Sequence, residues 1–468
     1  MSASRPNAPH PPFPHPLAAS GERDGATGAS PHPRPWRRAF AWLAFLGPFF
    51  FVSYGFANWT ASLRDVVLSI VFDWERHIPF WPWTIVPYWI IDALYGLSLF
   101  LCFSRRELDT HALRLLTAQV IAVTCFIAFP YRFTFTHPPA DGLFGAMFDV
   151  LLGFDRPYNQ IPSLHIALAV ILWMLYVRKA RGIVRVAADI AFVMIVASVL
   201  TTYQHHFIDI PTGAALGWLC VWLWPDDEAL RPWRITHFAG ESRRLRIATY
   251  YAAGAVACAL AAYALRGWAL WLLWPALSLA FVAMFYACVG AGGFQKGADG
   301  RLSLAARWLL APYLAGAWIN SRAWTRGHPQ PSHVADGVWI GRTPTARDLA
   351  ATPTASIVDL AAELSLPRAT SAAAVFPVLD LTLPPARTLA DAAHAIERMR
   401  ARGPVLVCCA LGYSRSAMAV VAWLLVTGRD TDVGAAIARI ERARPRIVLS
   451  DAHRTVLSTL AVRLENTR

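Results

Sequence analysis

The chain has 468 residues, 56% of them hydrophobic, with 20 tryptophans and a formal net charge of +13. That apolar content over that length excludes a single soluble domain. The positive charge invites a nucleic-acid partner, but the Lys and Arg residues gather in alternate connections between apolar runs, which excludes one.

Residues 1–38 read as a disordered tail, because Pro, Ser, Gly and His dominate it and apolar content is nearly absent. The first apolar run begins late and follows no small-residue cleavage site, so it reads as a retained anchor. Spans are expected near 40–57, 83–103, 114–131, 163–177, 184–201, 207–224, 247–264 and 268–287, since about 20 apolar residues cross a bilayer as a helix. Trp81, Trp83, Trp218, Trp222, Trp224, Trp268, Trp271 and Trp274 crowd their ends, as in an interfacial belt. Arg37 and Arg38 precede the first span. Alternate loops then carry Arg105, Arg106 and Arg114; Arg178, Lys179, Arg181 and Arg185; and Arg231, Arg234, Arg243, Arg244 and Arg246. This places the N-terminus and the C-terminal region in the cytoplasm. Cys102, Cys125, Cys220, Cys258 and Cys288 lie in or beside the spans as small hydrophobes, and no disulfide framework is visible.

Two stretches put ionisable residues at membrane depth, where they call for a functional role. QIPSLHIALAV places Ser163 and His165 at the head of the fourth expected span, and TTYQHHFIDIPTG places His205, His206 and Asp209 at the head of the sixth. On a helix His205 and Asp209 share a face, so the carboxylate can orient the imidazole. His205 is the candidate nucleophile, His206 a bystander and His165 the acid for the leaving group. With the N-terminus inside, the fourth and sixth spans both start at the outer face, which lets these residues meet.

After about residue 288, VGAGGFQKGADGR reads as a glycine-rich break. LSLAARWLLAPYLAGAWI (302–319) follows as a helix on the membrane surface, interrupted by Arg307 and kinked by Pro312; GHPQPSH is then a linker. Residues 331–468 form an α/β domain. GVWIG, ASIVDL, AVFPVLD and PVLVCC are expected strands. RTLADAAHAIERMRARG, SAMAVVAWLL, DVGAAIARIERA and DAHRTVLSTLAVRLE are expected helices.

The strand PVLVCC runs into a loop, ALGYSRS, that suits phosphate chemistry. Backbone N–H groups and a helix N-terminus favour an anion and lower a thiol pKa, and an arginine grips phosphate oxygens bidentately. Five residues intervene between Cys409 and Arg415, which makes Cys409 and not Cys408 the nucleophile. Gly412 lets the backbone approach the phosphate, and Ser416 can donate to the sulfur as it leaves. No Lys or Arg stands between Cys409 and Arg415, which suits a single phosphomonoester.

CALGYSRS resembles the Cys-x5-Arg-Ser loop of the dual-specificity protein tyrosine phosphatases, and WIGR and FPVLDLTLPP resemble that family's opening strand and general-acid loop. The resemblance covers roughly residues 336–468. It implies that Cys409 attacks phosphorus, Arg415 holds the phosphoryl group and Asp380 protonates the leaving oxygen. The residue before the nucleophile, usually His in that family, is Cys408 here. PSLH followed by HxxxD resembles the type 2 phosphatidic acid phosphatase superfamily, and more closely its inositol phosphorylceramide and sphingomyelin synthase branch, over roughly residues 83–224. That resemblance implies a phosphohistidine intermediate. It departs from the family where Lys-x6-Arg-Pro is not intact and where the Ser-Arg pair becomes Ser198 and Val199, so phosphate binding falls to Arg132, Arg156 and backbone N–H groups.

The whole chain resembles bacterial inner-membrane fusions of these two families. The expected organisation is a tail (1–38), a polytopic α-helical membrane domain (39–226), two further spans with an interfacial helix and linker (227–330), and a cytoplasmic phosphatase domain (331–468). The expected function is a membrane-bound phosphatase acting on phosphate monoesters of lipids or lipid precursors, with a Cys-dependent and a His-dependent site. It needs neither metal nor cofactor, and its partners are the membrane and a lipid phosphate or phosphoprotein substrate. The alternatives are a lipid phosphotransferase in the membrane half, a membrane-anchored protein phosphatase, and a non-catalytic lipid-binding scaffold.

Overall fold

The structure, a computed structural model, describes residues 34–235, 241–352, 354, 356–370 and 372–465. Residues 1–33 of the expected tail lie outside them. Its last three residues are corrected, because α1 begins at Trp36.

Pro35–Arg468 forms one compact unit. Its first half holds α1 (Trp36–Ser62), α2 (Ile85–Phe100), α3 (Arg105–Ala128), α4 (Gly142–Phe154), α5 (Leu164–Lys179), α6 (Gly182–Thr201), α7 (Asp209–Leu223), the four-residue turn α8 (Pro232–Ile235), α9 (Ser242–Leu265) and α10 (Leu273–Met284). Among the described residues six helical stretches are long and apolar enough to cross a membrane: Trp36–Ser62, Pro82–Phe100, Arg105–Ala128, Gly182–Thr201, Ser242–Leu265 and Gly267–Val289. The sequence reading expected eight.

The two that fall short are α5 and α7, with 16 and 15 residues. At 1.5 Å per residue they reach only about 24 and 22 Å, against a hydrocarbon core of about 30 Å. Their heads are cut back by the polar loops that carry Ser163 and His205. They are central helices, and they pack closely: a Cβ on Gly213 would meet the Ser163 carbonyl oxygen at 2.5 Å, and one on Gly217 would meet Val170 Cβ at 2.7 Å. Two other expectations also change. Arg105, Arg106 and Arg114, assigned to a loop, lie in α3, which starts early because Ser104 accepts from Glu107 N and Glu107 accepts from Phe103 N. The short apolar helix α4 had no sequence counterpart.

Arg38, Arg114, Arg178 and Lys179 share one end of the bundle. Arg38 pairs with Asp109 (2.6 Å), Lys179 with Glu107 (2.6 Å), and both Arg114 and Arg178 with Asp226. The heads of α5 and α7 lie at the other end.

The glycine-rich stretch after α10 is not a break. Phe294, Gln295 and Lys296 are buried, and Gln295 donates to Trp222 O at the tail of α7. The expected single surface helix is two, α11 (Leu304–Leu309) and α12 (Ala311–Trp324), because Pro312 starts a new first turn. The expected linker also shortens, since β1 (Ser332–Ala335) begins within it.

The remaining elements are β2 (Val338–Arg342), α13 (Ala346–Ala350), β3 (Ser356–Ala361), β4 (Ala373–Val378), α14 (Ala386–Arg400), β5 (Val405–Cys409), α15 (Arg415–Val426), α16 (Val433–Ala443) and α17 (Asp451–Glu465). The sheet order is β1-β2-β5-β3-β4, antiparallel at β1 and parallel elsewhere. The expected strands and helices of this half all form. Leu389, Ala392, Ala393 and Ile396 of α14 are buried on one face, and every residue of β3 and β5 is buried, as parallel strands covered on both sides require. Ala362 and Leu379, at the C-terminal edge of the sheet, belong to the same apolar core as the bundle helices. That edge packs against the membrane half.

Candidate active site

Open α/β sheets build sites at the carboxyl ends of their parallel strands, and β5 delivers Cys409 there. Successive strand residues point to opposite faces. Cys408 faces a small apolar cluster with Ile357, Leu366 and Leu406, and its sulfur approaches Asp359 Oδ1 at 3.8 Å. Burial, reinforced by the Asp359 charge, pushes its thiol pKa well up. Cys409 faces the loop, where Gly412 N–H donates to its sulfur at 3.3 Å and Ser416 Oγ lies 3.4 Å away. Gly412 has φ +75°, and a Cβ there would lie 2.3 Å from the Gly341 carbonyl carbon, so only glycine fits. Arg444 braces the loop from outside, donating to Gly412 O (2.9 Å) and Leu411 O (3.3 Å).

Arg415 is only 3% exposed and its guanidinium is held in a fork. Nη1 donates to Glu363 Oε2 (3.0 Å) and Val378 O (2.7 Å), while Nη2 donates to Glu363 Oε1 (2.7 Å) and Asp380 Oδ1 (2.9 Å). Burial works against the charge, but Glu363 and Asp380 outweigh it and hold the Arg415 pKa well above its ordinary value. Burial also opposes ionisation of Glu363, yet Arg415 keeps its carboxyl below the usual range. Asp380 behaves the other way. Burial raises its pKa, Arg415 only partly offsets this, and Glu363 adds to the rise. A carboxyl whose pKa is raised gives up its proton at a higher pH than an ordinary aspartate, which suits a general acid.

Three residues of this site come from outside the motif. Glu363 lies two residues beyond β3 and fixes the arginine. Tyr286 of the membrane half donates its hydroxyl to Asp380 O at 2.9 Å, pinning the acid loop. Lys296, fully buried, donates to Asp359 Oδ2 (2.5 Å), Ala361 O (2.5 Å) and Leu364 O (2.6 Å), inserting a cation from the bundle beneath the sheet. A solvated sequence reading gives no cue to any of them beyond a lone acid, Tyr or Lys in an apolar context.

At the far end of the bundle His205 Nδ1 lies 3.0 Å from Asp209 Oδ2, and His205 Nε2 lies 3.4 Å from Ser163 Oγ. With Nδ1–H given to Asp209, Nε2 carries the lone pair of a nucleophile. His165 stacks on Tyr88 at 4.2 Å, with its Nε2 buried and without a partner among the described residues. His206 turns away to Glu75 (2.9 Å) and Thr134, which fastens the loop. The expected phosphate ligands make no side-chain hydrogen bond to these groups among the described residues. Arg132 and Arg156 are both exposed, although their loops run side by side and Arg132 N donates to Leu68 O. Asp155, bonded to Tyr54, was not singled out by the sequence. Among the described residues no group of three or more His, Cys, Asp or Glu is arranged to hold a metal ion.

No family model matches the chain, and no curated protein matches it. Solved structures do. Tk-PTP in its active form is 26% identical, with 29% of this chain and 99% of that one covered and a TM-score of 0.27. Human DUSP28 is 23% identical, with 29% and 99% covered and a TM-score of 0.27. PTPMT1 in complex with PI(5)P is 16% identical, with 29% and 97% covered and a TM-score of 0.25.

Proposed function

We propose that the chain is a membrane-bound phosphatase that hydrolyses phosphate monoesters of lipids at Cys409. The observation that carries this reading is the convergence of Cys409 Sγ, the Gly412 N–H, the Glu363-held Arg415 and a carboxyl, Asp380, whose pKa is raised. Cys409 attacks phosphorus as the thiolate, the bond to the leaving oxygen breaks, and Asp380 gives that oxygen its proton. Water then attacks the phosphocysteine, Asp380 takes a proton back, and Ser416 donates to the departing sulfur. Among the described residues only Nε of Arg415 is without a partner, and Nη2 becomes available to phosphate when Asp380 releases it. Substrate and acid therefore compete for the same N–H, and a protonated Asp380 yields it more readily.

Lipid is the favoured substrate because the catalytic edge of the sheet is packed on the bundle through Tyr286, Lys296 and a shared apolar core. A headgroup in the bilayer reaches such a site at high effective concentration. The His205 group is read as a second phosphate site, with His205 as nucleophile, Asp209 orienting it and His165 serving the leaving group; its work is hydrolysis or transfer to a lipid hydroxyl. In this reading the basic end of the bundle and the Cys409 domain face the cytoplasm. The test is phosphate release by the full chain from a phosphate-monoester lipid in vesicles and from a phosphotyrosine peptide. Faster turnover of the lipid that Cys409→Ser abolishes supports the proposal. Preference for the peptide would make this a membrane-anchored protein phosphatase.

A further inference from the structure

A cavity of about 410 Å³ lies between α11–α12 and the catalytic edge of the sheet, and Glu363, which holds Arg415, is part of its wall. Arg307, Trp318 and Arg322 line one side, and Thr343, Glu363 and Leu364 line the other. Arg322 spends one N–H on Thr343 O (3.0 Å) and lies 5.6 Å over the Trp318 ring. Its Nε and Nη1 are buried with no partner among the described residues. Arg307 is exposed at the same cavity. The carboxylate facing them, Glu363, is bound bidentately by Arg415 and is not available to either. Two arginines thus line a space whose carboxylates are both committed elsewhere, Glu363 to Arg415 and the nearby Asp348 to Arg342. Buried guanidinium N–H groups left unbonded are costly, and a planar fork matches phosphate oxygens.

The surroundings say where that phosphate comes from. α11 and α12 expose Trp308, Trp318, Ile319 and Trp324, the last at 66%, as helices lying at a headgroup boundary do. The span before them ends at Val289, so this ridge sits beside the bundle rather than far out in solvent.

We propose that the Arg307–Arg322 cavity binds the headgroup phosphate of an anionic phospholipid, a phosphodiester distinct from any monoester substrate. The lipid completes Arg322 and fastens α12 to the catalytic edge, where Ser321 already donates to Ala410 O at 2.5 Å. The inference does not depend on the activity of Cys409, and its test reads binding alone.

The test is native mass spectrometry of the delipidated full chain with added short-chain phosphatidylglycerol or phosphatidylcholine, and with inorganic phosphate as competitor. The full chain is expected to prefer phosphatidylglycerol. Arg307→Gln should weaken that lipid by about fivefold, and Arg307→Gln with Arg322→Gln should remove the preference, at about 1 kcal/mol per arginine near a lipid surface. Millimolar inorganic phosphate should not displace the lipid. An unchanged preference in Arg307→Gln overturns the proposal even if the double variant fails to fold. Displacement of the lipid by inorganic phosphate at equal phosphorus concentration also overturns it, and makes the cavity a site for the free anion.

Discussion

Each end of this molecule holds a candidate nucleophile, and among the described residues a buried, fixed arginine stands only at the sheet end. At the sheet end, Arg415 is buried, locked by Glu363 and aimed beside Cys409. At the far end, His205, Asp209 and Ser163 are assembled while Arg132 and Arg156 stay on the surface. The sheet end thus has a buried, fixed guanidinium, while the arginines expected at the far end are exposed. The difference also predicts which changes will hurt.

The largest effect is expected from the nucleophile. Cys409→Ser should cost the full chain at least about 1000-fold in turnover of a phosphate monoester, while Cys408→Ser should cost less than about threefold. A phosphate-release assay on both variants checks it, and equal losses would place the two cysteines in one role. Asp380→Asn should slow poor leaving groups by about 100-fold and an activated aryl phosphate much less. Its pH profile gives the sign: the acid must carry a proton, so kcat falls as pH rises through a pKa raised from the ordinary aspartate value by burial. Asp380→Asn should lose that alkaline limb. Glu363→Gln leaves Arg415 short of its charged partner and should raise KM about tenfold, with kcat falling less.

The smallest effect on chemistry, though a large one on stability, belongs to Lys296. Lys296→Met leaves Asp359 buried and unpaired and should cost about 3–5 kcal/mol in a denaturant melt. Combining Lys296→Met with Asp359→Leu should recover most of that. A single variant as stable as the parent would show that the sheet does not depend on the bundle for a counter-charge.

Cys409, Arg415 and Gly412 were legible in the sequence because they sit within one loop, where spacing alone carries the geometry. Glu363, Tyr286 and Lys296 were not, because each partner is 52 to 94 residues away and only folding brings the pair together. The glycine-rich segment illustrates the same limit. Its composition signals a break, yet a buried lysine and glutamine turn it into the joint between the halves. Hydropathy counted eight spans where six helical stretches qualify among the described residues, because it could not see that polar loops trim α5 and α7 below spanning length. The pairing of His205 with Asp209 was expected from a shared helix face; the pair forms, but His205 lies in the loop ahead of α7, which begins at Asp209. The exposure of Arg132 and Arg156 was not readable, since it depends on how two distant loops lie together.

The most direct measurement is rapid quenching of the full chain during turnover of a phosphate-monoester lipid, followed by mass spectrometry to locate the bound phosphate. The account requires phosphate on Cys409, present in the parent, accumulating in Asp380→Asn when an activated monoester is used, and absent in Cys409→Ser. Turnover with phosphate found only on His205, or undiminished in Cys409→Ser, would contradict it.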